Sequence, residues 1–405
     1  MQPPAEPNDA PKRIESAPRR VVLIGASVRA AAQSAQRAGF RVTGVDLFGD
    51  IDTREACEHF FRLDDDSQRS SLQASCAGVP SLVVSGLNEW RNAADRIQAH
   101  CPPLGATLPP QFWQDDRWLA RLAEAAGMRY PETRSPEKSA AESGRWLRKK
   151  RNSSGGLGVE WFSADGSGEA CEPSAPDRIQ RWVGGRVIGA TFLIHDHDAK
   201  LLGICRSLFT RLRSRPFVYR GSVGPVPVSP SLMKKISDLG ALVAAETGIR
   251  GLINADLVID RRGDPWLLEF NPRWSGSCEA LEKALIGKGE RSLFGCHVDA
   301  IEGQPLEPSL CSPRPNAPSL IKRVLFARRL VKFQLARAEL ALGGQSRVQD
   351  IPEDGTLIQK GEPICTLLTE FPRGEALFEH RQKKSPMWEH RAHACRLMKA
   401  LALPD

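Results

Sequence analysis

Two apolar runs, residues 252–260 ("LINADLVID") and 266–271 ("WLLEFN"), flank the turn sequence "RRGDP" and constrain this chain more than any other stretch. Strand-like runs on either side of a Gly/Pro/Asp turn predict a β-hairpin. In a strand, residues i and i+2 share a face, so Glu269 and Asn271 present two oxygen donors side by side. Folding back about the turn brings Asp256 of the first strand close to Glu269. Three hard oxygen donors on one hairpin suit Mg²⁺, which takes one or two carboxylates, waters and substrate phosphates. A hairpin end with polar residues at its solvent edge shows the same spacing, so the hairpin by itself leaves both readings open.

The chain is 405 residues long, too long for one ordinary core, and two or three domains are expected. With 41% hydrophobic and 26% charged residues it has the composition of a soluble globular protein. Residues 1–18, rich in Pro, Ala and charge, are expected to form a disordered arm without a secretory signal. No apolar run approaches the ~20 residues that a membrane helix needs. Ten cysteines without a CxxC pair fit reduced thiols and a cytoplasmic location. The net charge of +8 is spread over several segments without interleaved aromatics, so an anionic small ligand is favoured over nucleic acid.

The order of elements predicts a mixed α/β and α+β multidomain protein. "RVVLIGAS", "VRAAAQSAQRAG" and "FRVTGVDLF" read as strand, helix and strand, followed by "PSLVVSG" near 80–86. Alternating β and α elements imply a parallel, Rossmann-like sheet over 19–110. The first loop, "GASVRAA", lacks G-x-G-x-x-G, so Asp46 at the end of the second strand is expected to be structural and NAD is not expected. Helices are expected at 116–126 and from Ser229 (N-cap) and Pro230 to Gly248. Further boundaries are a core over 111–301, a Pro-rich linker over 302–319, a small β segment over 320–372 and a helical tail over 373–405.

Two stretches shift the reading of the hairpin. "WLRKKRNSSGGLGVEW" is a strand, a Gly/Ser-rich turn and a second strand, which can lay backbone N–H groups over phosphates beside a strand lysine. It is not a Walker loop, since G-x-x-x-x-G-K-[ST] is absent. "IQRWVGG" is an apolar strand that breaks at Gly184–Gly185 and exposes backbone. With an α/β domain before them and the Asp…Glu-x-Asn hairpin after them, these parts resemble the ATP-grasp superfamily over about residues 20–300. The closest type is the carboxylate–amine ligases and the biotin-carboxylase-like carboligases, with a likeness to proteins of one-carbon carrier cofactor biosynthesis.

The resemblance implies a Rossmann-like domain ahead of a two-lobed ATP-grasp core, with ATP and Mg²⁺ (or Mn²⁺) bound. By that resemblance Asp256, Glu269 and Asn271 are metal ligands, and Arg273 holds the transferred phosphoryl group. Lys149 binds phosphate, and the loop with Ser153, Ser154, Gly155, Gly156 and Gly158 closes over it. Gln180, Arg181, Trp182 and Val183 form the adenine-binding hinge. Three departures stand out: Gln180 replaces a common glutamate, Val187 occupies the place of a ribose-binding carboxylate, and Arg117 replaces an early phosphate-binding lysine. The implied reaction is activation of a small-molecule carboxylate as an acyl phosphate for attack by an amine, in a monomer or a homodimer. An ATP-binding regulatory module that has lost turnover and a basic nucleic-acid-binding protein are the competing classes. His195 and His197 are read as a turn, His390 and His393 as part of a solvated tail helix, and Cys205, Cys278 and Cys296 as small buried residues. The Gly-rich stretch 217–230, with Tyr219 and Arg220, is read as either a substrate contact or a surface loop.

Overall fold

The computed structural model describes residues 19–84, 87, 90–105, 108–109, 111–134, 144–150, 153–162, 177–287, 290–305, 310, 314, 317–342, 346–372 and 385–401. The expected arm 1–18 and part of the expected linker lie outside these residues. The chain opens with β1 (Arg20–Ile24), α1 (Arg29–Arg37), β2 (Arg41–Asp46), α2 (Ile51–Glu55), β3 (His59–Arg62), α3 (Arg69–Cys76), β4 (Ser81–Val83) and α4 (Arg91–Gln98). Its four strands form a parallel sheet in the order β3-β2-β1-β4, as the alternating pattern predicts. Beyond α1 the chain passes Gly39 at φ +83°, a left-handed turn that glycine enters without a Cβ penalty.

Helix α5 (Asp116–Ala125) begins where Asp115 caps the Arg117 and Trp118 amides, and it buries Leu119 and Leu122. A small four-stranded lobe follows: β5 (Thr133–Arg134), β6 (Trp146–Lys149), β7 (Val159–Phe162) and β8 (Arg178–Arg181), in the order β5-β8-β6-β7. The central sheet starts with β9 (Gly185–His195), β10 (Asp198–Leu212) and β11 (Arg215–Gly224). Helix α6 (Pro230–Thr247) follows, capped by the Ser229 side chain and closed by left-handed Gly248, both as expected. The opening hairpin is β12 (Gly251–Asp260) and β13 (Pro265–Asn271). After α7 (Cys278–Leu285) and α8 (Leu293–Ile301) come β14 (Ser319–Phe326), β15 (Val331–Lys332), α9 (Leu335–Ala341), β16 (Ser346–Gln349), β17 (Leu357–Ile358), β18 (Pro363–Phe371) and α10 (Pro386–Leu401).

The central sheet has eight strands in the order β13-β12-β9-β10-β11-β14-β18-β16, so most of the C-terminal β segment extends it. One face packs on α5 and α6 through Phe192, Ile194, Leu257 and Leu239. The other packs on α7, α8 and the N-terminal domain, where Phe40 meets Phe294 edge to face at 5.3 Å. Along each strand the residues alternate between these faces, and this separates the two groups of side chains discussed below. His195 and His197 fall at the β9–β10 turn, with Asp196 and His197 both at positive φ. Among the described residues no group of three or more His, Cys, Asp and Glu side chains is arranged to hold a metal, and no helix is long and apolar enough to cross a membrane.

Candidate active site

The hairpin register places Asp256 directly opposite Glu269 and Asn254 opposite Asn271, with a bulge just after Asp256. All four residues therefore share the sheet face that α7 covers, at the edge formed by β13. The Asn271 amide nitrogen donates to Asp256 Oδ2 at 2.9 Å and to Glu269 Oε1 at 3.4 Å. Its oxygen accepts from the Arg273 guanidinium at 2.7 Å. Asn254 donates to the other Asp256 oxygen at 2.9 Å and is itself held by the Thr191 hydroxyl at 3.2 Å. Burial first, and then the like charge of Glu269, raise the Asp256 pKa to about 7, while Arg273, Asn254 and Lys149 pull it back.

Lys149 reaches the same place from the other lobe. It ends β6, next to β8, and its ammonium interacts with Glu269 and Asp256. Burial lowers its pKa more than those carboxylates raise it, and Arg178, its partner across the strands, adds to the lowering. Burial likewise lowers the Arg273 pKa against the pull of Glu269 and Asp256. Two cations and two carboxylates from separate elements thus converge on one cleft.

The Gly/Ser turn lies along this cleft. Gly155 and Gly156 sit at φ +61° and +73°, and a Cβ on Gly156 would stand 1.8 Å from the Phe217 carbonyl oxygen. The Tyr219 N–H donates to the Gly155 carbonyl at 2.8 Å, which docks the turn on β11. Ser153 bonds the Lys150 carbonyl at 2.8 Å and leaves no room for a side chain at Gly158. Ser154 lies beside Gly155 within the same turn. The Tyr219 ring lies against Gly276, in electrostatic reach of Asp256 and Glu279, so the stretch 217–230 borders the cleft.

The hinge is more particular than its sequence shows. Gln180 is buried and spends its amide on Thr133 Oγ1 at 3.2 Å. The Arg181 and Trp182 N–H groups donate to the carbonyls of Glu132 and Arg145. Among the described residues no hydrogen bond occupies the Val183 backbone. Arg145 lies over both Trp161 and Trp182, which meet edge to face, its guanidinium carbon 3.8 and 4.5 Å from the two ring centres. The double glycine is needed because a Cβ on Gly184 would meet the Trp182 ring at 2.9 Å, and one on Gly185 the Ile259 carbonyl oxygen at 2.3 Å.

Arg117 is exposed in the first turn of α5. The buried arginine beside Lys149 is Arg178, which meets Asp116 and the Tyr130 hydroxyl at 2.5 Å each. Sequence reading missed Arg178, Asn254 and Thr191. Arg178 precedes Gln180 by two residues, and Asn254 precedes Asp256 by two, so a same-face search along each strand finds both. Cys205 and Cys278 are buried, and burial pushes their thiols up, that of Cys278 to about 11, as inert core cysteines require.

Residues 115–277 match the family described as ATP-grasp domain. The chain is 26% identical over 230 residues to the formate-dependent phosphoribosylglycinamide formyltransferase of Burkholderia vietnamiensis, covering 51% of this chain and 54% of that protein. It thus spans about half the length of such curated relatives. Among solved structures, carboxyaminoimidazole ribonucleotide synthase from Aspergillus clavatus, complexed with ATP, superposes with a TM-score of 0.65 at 15% identity, covering 95% of this chain and 98% of that one. L-amino acid ligase from Bacillus licheniformis gives a TM-score of 0.61 at 16% identity, with 95% and 98% covered. At such identities these two show the fold alone. Over residues 115–277 the chain is thus similar to the ATP-grasp domain family, and over nearly its whole length it shares the fold of these ligases.

Proposed function

We propose that this protein is an ATP- and Mg²⁺-dependent ligase that activates a small-molecule carboxylate as an acyl phosphate for attack by an amine. The observation that carries this reading is the convergence of Lys149 from the small lobe with Asp256, Glu269 and Arg273 from the hairpin. The donor set fits a divalent cation, since two carboxylates stand directly opposite each other with the Asn271 amide against both. Asp256 and Glu269 would hold the metal, and Asn271 would join them once its amide turns its oxygen toward them. That turn breaks the Asn271–Arg273 bond and frees the Arg273 guanidinium for the substrate. Bound Mg²⁺ supplies charge neutralisation on the phosphate oxygens.

Lys149 and the N–H groups of the Ser153–Gly158 turn would orient the ATP phosphates, with Val183 on the adenine. The substrate carboxylate attacks the γ-phosphorus, the bond to the β–γ bridging oxygen breaks, and ADP leaves. Arg273 stabilises the charge spread over the migrating group. The amine then attacks the acyl carbon, loses a proton, and expels phosphate to leave an amide. Nucleotide analysis tests the sequence of steps: ADP and phosphate should appear in step with product. AMP and pyrophosphate as the coupled products would refute it. Screening candidate carboxylates and amines for substrate-dependent ADP release identifies the substrates.

A further inference from the structure

Lys322 on β14 turns to the α7 side of the central sheet, where its ammonium meets Glu279 at 2.8 Å. Strand alternation sends its neighbour Arg323 to the opposite face. Tyr219 on β11 likewise faces Gly276 and the cleft, so Arg220 faces away from it. Arg220 is the extra residue of a bulge between the Leu208–Gly221 and Phe209–Tyr219 pairs, so it turns to the side of Gly221, and Gly221 pairs with Arg323. Helix α10 packs on β14 and β18 over this face and adds Arg391 beside them. Among the described residues, Arg220, Arg323 and Arg391 have neither an acidic partner nor a hydrogen-bond acceptor. The Arg220 Nε is buried without a partner. Burial first, and then Arg220, Arg391 and Arg328, lower the Arg323 pKa to about 10, as uncompensated like charges require.

A second observation points the same way. His390, expected on a solvated helix, is fully buried, because α10 lays this side chain onto β18. Its Nδ1 lies 2.7 Å from the Thr369 hydroxyl oxygen, and its Nε2 is buried with no partner. The charged side chains that act on it include Arg323, Arg220 and Arg391, with no carboxylate among them. When Thr369 donates to Nδ1, Nε2 carries the proton and becomes one more donor without an acceptor.

We propose that Arg220, Arg323, Arg391 and His390 form a binding site for a phosphoryl group on the sheet face opposite the Asp256–Glu269 hairpin. A phosphate dianion supplies what the site lacks, acceptors only and two negative charges, and guanidinium groups match its geometry. The group can be free phosphate or the head of a phosphomonoester. The site is independent of the ligase reading.

Calorimetric titration of the full chain with sodium phosphate and with glycerol 3-phosphate, at constant chloride, tests this. Saturable binding is expected for at least one of them. Arg323→Gln/Arg391→Gln should weaken it about tenfold or more, since each charge-assisted bond carries that much. Asp256→Asn and Lys149→Ala should leave it intact. Displacement of phosphate by glycerol 3-phosphate would make the natural ligand a phosphomonoester, and binding of phosphate alone would make it the free ion. Without phosphate the double variant should melt no lower than the parent, because like charges have been removed. Should it fail to fold, Arg391→Gln, exposed on α10, carries the same test. No saturable binding, unchanged affinity in the arginine variants, or loss confined to the Asp256 and Lys149 variants would overturn the proposal.

Discussion

Asp46 and the Asp256–Glu269 pair look alike in sequence, each a carboxylate at or near the end of an apolar strand, and the fold uses them in opposite ways. Asp46 is fully buried, and its two oxygens accept from three backbone N–H groups, those of Val28, Phe48 and Gly49, at 2.9 to 3.2 Å. Those donors belong to the loops after β1 and β2, so the carboxylate ties the loops together and is closed off from solvent. Asp256 and Glu269 face each other and are held by the Asn254 and Asn271 amides, the latter braced by Arg273, and such side chains can turn away. A strand-end carboxylate becomes a binding site when its partners are side chains that can be displaced, and a structural clamp when they are main chain.

Substitutions at the two places should separate them. Asp256→Asn and Glu269→Gln are expected to abolish turnover while each variant stays folded, and wild-type activity in both would remove the metal assignment. Next in size, Arg273→Ala should lower kcat about 10²–10³-fold, as loss of one transition-state donor does. Lys149→Ala should act in part on ATP affinity, because it meets phosphate already in the ground state. A comparable fall in ATP affinity for Arg273→Ala would undo that division. Gly156→Ala should reduce kcat/KM by about 10²-fold, because the turn must shift by an ångström or more from Phe217. An unchanged value would show that the turn's seat on β11 has no part in turnover.

Asp46→Ala should cost about 1–3 kcal/mol of stability by stranding buried N–H groups. Mg²⁺ dependence should survive it, and a selective loss of metal response would erase the contrast. The smallest effect concerns pH. The Asp256 pKa is raised from 3.8 to about 7, so its protonated form favours the fold. The stability it contributes is full below the unfolded value and is lost as pH rises through about 7. Mg²⁺ competes with that proton, so its affinity should rise by up to about tenfold per pH unit toward pH 7 and level off above. The comparison is parent against Asp256→Asn, in which this dependence should vanish. The same slope in both proteins would place the titrating group elsewhere.

Much of the architecture was legible in the chain. The "RRGDP" turn between apolar runs marked the hairpin, but a bulge that no local pattern announces is what set Asp256 opposite Glu269. Ser229, Pro230 and Gly248 marked both ends of α6. The Gly/Ser turn between β6 and β7 was visible from its glycines, two of which take positive φ. The hinge was legible only in place: the stretch 180–183 was found, but not that Gln180 is spent on Thr133 and that the Arg181 and Trp182 N–H groups are already bonded. Those partners lie some forty residues away, and no local pattern encodes them.

Local chemistry accounts for what the sequence determined by itself: strand alternation, helix caps, turn glycines and the set of oxygen donors on one hairpin all act within a few residues. The tertiary structure decided which charges meet. It left Arg117 exposed and set Arg178 beside Lys149, seated Tyr219 against Gly276, and turned His390 from an expected solvent face into the core beside three arginines. Coulomb energy and desolvation depend on distance and burial in space, and these come from the packing of elements far apart along the chain.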